Sequence, residues 1–370
     1  MDIFPLFQLA KTRGASDLHL VVSSPPLLRI NGKLEPATDM SPLTAEDMEQ
    51  AFNQITSDQQ RKDFYRCLEL DFGCSVPDVG RVRCNAARQR GTISLVIRLL
   101  PSVIPTLDEL GLPEVCRELV LKRRGLVVVS GPTGSGKSTS LAAMIDHLNR
   151  VESRRVVTIE DPVEYTYSNL RCTITQRELG SDTLSFAEAL KHVLRQDPDV
   201  ILVGEMRDLE TAATALTVAE TGHLVLTTGH APSASQAIER ITDLFPAHER
   251  HLAQSQLASL LVGVLCQALV PRVDGSGRVA AVEVMLANPA VRNLIREGKI
   301  YQLPNTIRMH AQLGMELLDQ ALINLYRGGV INSENLFSFC NDRGEVEKLI
   351  GNRETSPPGD PDLALNNEFA

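Results

Sequence analysis

The 370-residue chain contains no run of about 18 apolar residues, the length a membrane-spanning helix requires. Its nearest approach, Leu257 to Val270, is interrupted by Ser259 and Gln267 and reads as a buried helix. No basic stretch precedes the apolar residues of Met1-Asp2-Ile3-Phe4-Pro5, so this end does not read as a secretory signal. None of the seven cysteines (67, 74, 84, 116, 172, 266 and 340) stands in a Cys-x-x-Cys pair. That argues against a zinc site and a disulfide framework, and it suits a reducing cytoplasm. An excess of positive charge is missing too. With 37 Lys and Arg against 46 Asp and Glu, the net charge is −9, which speaks against generic nucleic-acid binding. What is present, 43% hydrophobic and 22% charged residues, is the composition of a soluble globular protein. The length exceeds one ordinary core, so two domains are expected.

The most informative stretch is Gly131-Pro132-Thr133-Gly134-Ser135-Gly136-Lys137-Ser138-Thr139. It follows the apolar run Leu126-Val127-Val128-Val129 and precedes Leu141, Met144, Ile145 and Leu148 at helical spacing. A buried strand, a glycine loop and a helix start therefore stand in the order of a phosphate-binding loop. Glycines let the backbone turn so that successive N–H groups face phosphate oxygens, and the helix N-terminus adds its dipole. Lys137 can reach the β- and γ-phosphates, and the Ser138 hydroxyl can join a magnesium site. A glycine-rich turn that binds nothing would not need all of these parts. The pattern predicts that ATP or a similar triphosphate binds here.

Around this loop the chain divides. Residues 1 to 100 read as a small α+β domain. An opening helix ends near Gly14, and strands follow at Leu18 to Val22 and Leu27 to Ile30 with a hairpin turn at Asn31-Gly32. Two capping boxes, Thr44 with Asp47 and Ser57 with Gln60, start two helices. Three β-like runs follow, Leu68 to Val76, Gly80 to Arg88 and Thr92 to Leu99. Residues 101–113 carry prolines 101, 105 and 113 and read as a linker. Residues 114–351 begin with alternating strands and helices, which predicts a parallel sheet covered on both faces. Expected strands are Leu126 to Ser130, Val156 to Glu160, Val200 to Gly204 and Leu224 to Thr228; beyond 280 the chain reads as mainly helical. Residues 352–370, with Pro357-Pro358-Gly359-Asp360-Pro361, read as a disordered tail.

Hydrolysis needs carboxylates at the ends of neighbouring strands. Val200 to Val203 leads into Gly204-Glu205, which places Glu205 to hold the magnesium shell or the attacking water. Val156 to Ile159 leads into Glu160-Asp161-Pro162-Val163-Glu164. In a solvated turn these acids would do nothing; at strand ends of a nucleotide-binding sheet they become candidates for catalysis. His223 and His230 flank Leu224-Val225-Leu226, and either could contact the γ-phosphate or serve a structural end. Arginines 81, 83, 88, 90 and 98 concentrate in the first domain, as a solvated basic face or as an arginine finger for a neighbour's triphosphate.

Taken together, these pieces resemble the secretion-type ATPases that drive type IV pili and type II secretion. The aspartate box of that family resembles Thr158 to Glu164, its Walker B resembles Asp197 to Asp208, and its histidine box resembles Ala219 to His230. The resemblance runs from Ala15-Ser16-Asp17-Leu18-His19 to about Ile350. The cysteine-rich zinc motif of the extension and secretion members is missing. The octet Ala290-Val291-Arg292-Asn293-Leu294-Ile295-Arg296-Glu297 resembles the family's retraction signature. The resemblance implies an α/β fold: an N-terminal PAS-like α+β domain, then a RecA-like P-loop NTPase domain with a helical C-terminal extension. It implies a cytoplasmic homohexamer with ATP and Mg2+ between subunits, docked on an inner-membrane pilus platform protein, together with a paralogous retraction ATPase. An extension, secretion or accessory retraction role is the alternative. Glu205 would organise magnesium with Ser138, Glu164 or Glu160 would act as base, and His223 and His230 would sense the γ-phosphate. Arg81, Arg83 and Arg98 would approach nucleotide across a boundary. One departure is Gly229, where the family carries a bulky residue before its second histidine.

Overall fold

The structure, a computed structural model, describes residues 1–30, 32–37, 40–101 and 103–351. Its first segment runs α1 (Phe4–Thr12), β1 (Asp17–Leu20), β2 (Leu27–Ile30), β3 (Lys33–Pro36), α2 (Ala45–Ile55), α3 (Asp58–Cys67), β4 (Glu69–Val76), β5 (Gly80–Gln89) and β6 (Thr92–Leu99). Both expected capping boxes are made. Asp47 N–H donates to Thr44 Oγ1 at 3.1 Å while Thr44 N–H donates to Asp47 Oδ2 at 3.0 Å, and Ser57 and Gln60 exchange the same pair. The helices that start there lay Met48, Phe52 and Phe64 into the core, where the two phenyl rings lie 4.7 Å apart. The sheet is antiparallel throughout, in the order β3-β2-β1-β6-β5-β4. Ile30 pairs with Lys33, which brackets the expected turn; Gly32 takes φ +83°, and Asn31 lies outside the described residues.

The chain continues as α4 (Val115–Val120), β7 (Gly125–Ser130), α5 (Lys137–Val151), β8 (Arg155–Glu160), β9 (Thr173–Glu178), α6 (Phe186–Val193), β10 (Val200–Val203), α7 (Leu209–Glu220), β11 (Leu224–Thr228), α8 (Ala234–Asp243) and α9 (Arg250–Leu260). It ends with β12 (Leu261–Pro271), β13 (Arg278–Leu286), α10 (Pro289–Arg296), α11 (Leu303–Met309), α12 (Leu318–Arg327), α13 (Ser333–Phe339) and α14 (Arg343–Gly351). Contacts gather the residues into two compact units. One holds 1–106 and 142–204; the other holds 107–141 and the described residues from 205 onward. Ser102 within the expected linker at 101–113, and the whole expected tail at 352–370, lie outside the described residues.

Within the first unit, β8 is flanked by β10 and β9, all parallel. Within the second, β7 is flanked by β11 and β12, again parallel, and β13 closes the edge antiparallel to β12. One expectation fails here. The apolar stretch Leu257 to Val270 is not one helix, because α9 stops at Leu260 and residues 261–271 form a strand. The region beyond 280 is mainly helical as expected, with α10 to α14 following β13, which ends at Leu286. A strand covered on both faces loses its two-residue period and reads like a buried helix.

Candidate nucleotide site

Strand β7 is buried along its whole length, and the loop after it carries three left-handed glycines, Gly131 (φ +142°), Gly134 (φ +79°) and Gly136 (φ +88°). At Gly131 any Cβ would stand 2.3 Å from the Gln267 carbonyl oxygen, so no larger residue fits there. The loop delivers Lys137 to the start of α5. Its ammonium donates to the Gly131 and Pro132 carbonyls at 2.9 and 3.0 Å, so the charge folds back over the loop. Ser135 is buried, and its hydroxyl has no hydrogen-bond partner among the described residues. The segment from 131 to 139 thus joins a buried strand to the start of α5 through a glycine-rich turn.

At the C-terminal end of β11 the second unit collects more chemistry. Glu205 Oε1 lies 2.6 Å from Arg207 Nε, and Glu205 Oε2 lies 3.4 Å from His230 Nε2. Both carboxylate oxygens therefore face a nitrogen. Arg240, absent from the sequence reading, donates to the His230 carbonyl at 3.1 Å and lines the same cavity of about 150 Å³. Its only sequence signal is its place on an amphipathic helix three turns beyond the histidine box.

Gly229 explains itself here. Its N–H bonds the Val129 carbonyl, and a Cβ would come within 3.0 Å of Ser130 Oγ. That hydroxyl both donates to the Ala231 carbonyl at 2.7 Å and accepts from Ala231 N–H at 2.8 Å. Ser130 ties down the residue after His230 from the neighbouring strand, through space that a bulky residue at 229 would contest. The loss of a packing side chain is thereby matched by a buried hydrogen-bonded clamp.

His223 does not join this cluster. The register pairs Leu224 with Gly125 and Thr228 with Val129, so His223 lies at the opposite end of β11 from the loop. Five residues of strand separate it by about 17 Å from that level. There its ring meets Thr221 Oγ1 at 3.0 Å and the Val218 carbonyl at 3.1 Å, closing the end of α7. A spacing of seven could not reveal which strand end each histidine occupies.

In the first unit, Glu160 ends β8. It accepts from Thr158 Oγ1 at 2.5 Å and from Gln176 Nε2 at 3.2 Å. Burial pushes its carboxyl above the ordinary range, the hydrogen bonds oppose this, and the Glu164 charge adds to the rise. Ionising Glu160 thus costs folded-state stability, which is full below the unfolded pKa and declines as pH rises through the higher folded one. Glu160→Gln keeps an acceptor for Thr158 and removes that cost. It should raise the melting temperature more at pH 8 than at pH 4, as thermal unfolding at both values would show.

The arginines separate. Arg81 is ion-paired with Glu178, a carboxylate only 4% exposed that also accepts from Val163 N–H at 3.0 Å. A Cβ at Gly73 would lie 2.8 Å from that guanidinium, so the bare backbone makes room for the pair. Arg81 is thereby committed to bracing the loop after Glu160, which corrects the expectation that it is a free finger. Glu178 carries no sequence signal of its own, being one acid at the end of a mostly polar run. Arg83 and Arg98 do come together, directly opposite each other on β5 and β6. Arg98 Nε also donates to Asp17 Oδ1 at 2.9 Å. Burial pushes the Asp17 carboxyl up, but the Ser16 and Arg98 bonds outweigh it and hold it below its ordinary value.

The chain matches the family described as "Type II/IV secretion system protein" over residues 81–302, more than half its length. It is 47% identical over 335 residues to the "Type IV pilus retractation ATPase PilT" of Pseudomonas aeruginosa PAO1, covering 90% of this chain and 97% of that one. The chain belongs to the type II/IV secretion system protein family. It is an ATPase of that family, and binding of a nucleotide follows from the family. It is also 41% identical to the "Type IV pilus ATPase PilU" of the same bacterium, over 95% of this chain and 91% of that one. A solved structure, "Crystal Structure of the Pilus Retraction Motor PilT and Bound ADP", superposes with a TM-score of 0.89 at 42% identity, covering 94% and 99% of the two chains.

In this secretion ATPase the octet 290–297 forms most of α10. Val291 and Ile295 are its buried positions, and Asn293, Arg296 and Glu297 are exposed. Arg292 turns inward. It donates to the Ala258 and Ser259 carbonyls at 2.6 Å each and to the Ala287 carbonyl at 2.9 Å. It thereby caps the last turn of α9, where carbonyls lack helical partners. Arg292→Ala should lower the stability by about 1–3 kcal/mol, the worth of charge-assisted hydrogen bonds. Arg296→Ala should change it by less than about 0.5 kcal/mol. Denaturant titrations of the two variants give the comparison.

Proposed function

We propose that this secretion ATPase is a cytoplasmic homohexameric motor that hydrolyses ATP to retract type IV pili. The observation that carries this reading is the near full-length similarity to the PilT chains, joined to a complete P-loop and the octet at 290–297. In this reading the amides of residues 131–137 and the Lys137 ammonium hold the β- and γ-phosphates. A cavity of about 330 Å³ beside the loop, lined by Leu110, Leu112, Thr139 and Arg278, has room for the base and sugar.

The donor set fits Mg2+. A hydroxyl at Ser138 and a carboxylate at Glu205 are hard oxygen ligands, and this ion keeps most of its shell as phosphate oxygens and water. When bound it would neutralise charge on the phosphates. Glu164 or Glu160 serves as the base for the attacking water, and the raised pKa of Glu160 favours proton uptake. His230, with its ring beside Glu205, its carbonyl held by Arg240 and its neighbour Ala231 held by Ser130, reports the γ-phosphate. Arg83 and Arg98 are the arginines proposed to reach nucleotide across a subunit boundary. Binding and hydrolysis of ATP then drive motion of the N-terminal domain (1–100) relative to the ATPase domain (114–351), with 101–113 as the linker.

No helix of the described residues is long and apolar enough to cross a membrane. An inner-membrane platform protein is the proposed docking partner, with a paralogous retraction ATPase beside it. The similarity to PilU favours one second reading, an accessory retraction ATPase. Deleting the gene and scoring pili together with twitching tests the proposal. Hyperpiliated, non-motile cells support it, bald cells point to extension, and unchanged cells refute both.

A further inference from the structure

Strand β12 brings one polar side chain into the nucleotide cradle that neither family motifs nor charge patterns single out. The register pairs Cys266 with Ser130, so Gln267 stands level with Gly131, where the phosphate loop begins. Its side chain is 4% exposed, and both ends are used. Nε2 donates to the Ser135 carbonyl at 2.7 Å, and Oε1 accepts from Ser140 Oγ at 2.9 Å. One amide thus joins the middle of the loop to the first turn of α5. The main chain makes a third contact, since the Gln267 carbonyl fills the space a Cβ at Gly131 would need. Nε2 likewise lies 2.9 Å from the Cβ position of Gly136.

We propose that Gln267 is a positioning residue for ATP binding, fixing the 134–136 peptides whose N–H groups face the phosphates. The inference rests on the reading of residues 131–139 as the triphosphate site. A buried carbonyl takes whatever donor reaches it, so without Gln267 the Ser135 peptide is free to rotate toward another. Rotation at 135 turns the adjoining N–H groups away from the phosphates. Leucine has nearly the volume of glutamine but no hydrogen-bonding atoms. Glutamate keeps the acceptor for Ser140 and replaces the donor facing Ser135 with a carboxylate oxygen.

The full chain carrying Gln267→Leu should show a KM for MgATP raised about tenfold, the size of one or two lost hydrogen bonds. Its kcat should stay within about threefold of wild type, because the loop holds the phosphates alike in ground and transition states. Gln267→Glu should raise KM at least as far, and it keeps the inference testable if the leucine variant does not fold. Unchanged KM in both variants would overturn the inference. So would a fall in kcat and melting temperature with KM unchanged, which would assign Gln267 to fold stability alone. Lys137→Ala assayed alongside separates the two levels. If it behaves as wild type, the site reading itself fails; if only the Gln267 variants do, this inference fails by itself.

Discussion

Lys137→Ala is expected to reduce kcat/KM for MgATP hydrolysis by 10²–10³-fold or more, the range for removing a preorganised charged donor from a transition state. The lysine ammonium is held at the mouth of the loop by the Gly131 and Pro132 carbonyls. Phosphate oxygens would offer it full negative charge in place of those two dipoles, so the ammonium is poised to transfer to them. Alanine at this position still allows α5 to start, because alanine is the strongest helix former. The loss should therefore appear in turnover and nucleotide affinity while far-UV circular dichroism stays unchanged. A steady-state phosphate-release assay with a parallel melting curve checks both.

Glu205→Gln should separate binding from hydrolysis. The carboxylate sits between Arg207 and His230, with one oxygen toward each. Glutamine retains the shape and one acceptor but loses the charge that would order magnesium and water. A drop in kcat of about 10²–10³-fold is expected, with the Kd for a fluorescent ATP analogue within a few-fold of wild type. Loss of binding equal to the loss of turnover would show that Glu205 holds the ground state instead. The variant also removes the partner of Arg207, an exposed side chain whose ion pair contributes little to stability. The melting temperature should hardly move.

Much of the site was legible because the phosphate loop imposes local requirements. Its glycines answer to backbone geometry, its lysine to phosphate charge and its flanking runs to burial, all within a few residues, and both capping boxes of the first domain are equally local. The parts that escaped notice depend on which strands become neighbours. Gln267 reads as an interruption in an apolar run; only the register of β12 against β7 places it on the loop. Ser259, the other interruption, has its carbonyl capped by Arg292. Glu178 and Arg81 lie 97 residues apart and meet through tertiary packing. His223 and His230 carry equal weight in the sequence, and the direction of β11 separates them. Strands β12 and β13 were hidden for a related reason, since burial on both faces erases the alternation that marks a half-exposed strand.

The central claim is that nucleotide turnover at this loop powers pilus retraction. The most direct test complements a deletion strain of the source organism with wild type or with Lys137→Ala and counts retraction events of labelled pili in single cells. Wild type should restore frequent retraction, while Lys137→Ala, expressed at the same level, should leave pili extended and cells non-motile. Retraction at wild-type frequency in the Lys137→Ala strain would contradict the account.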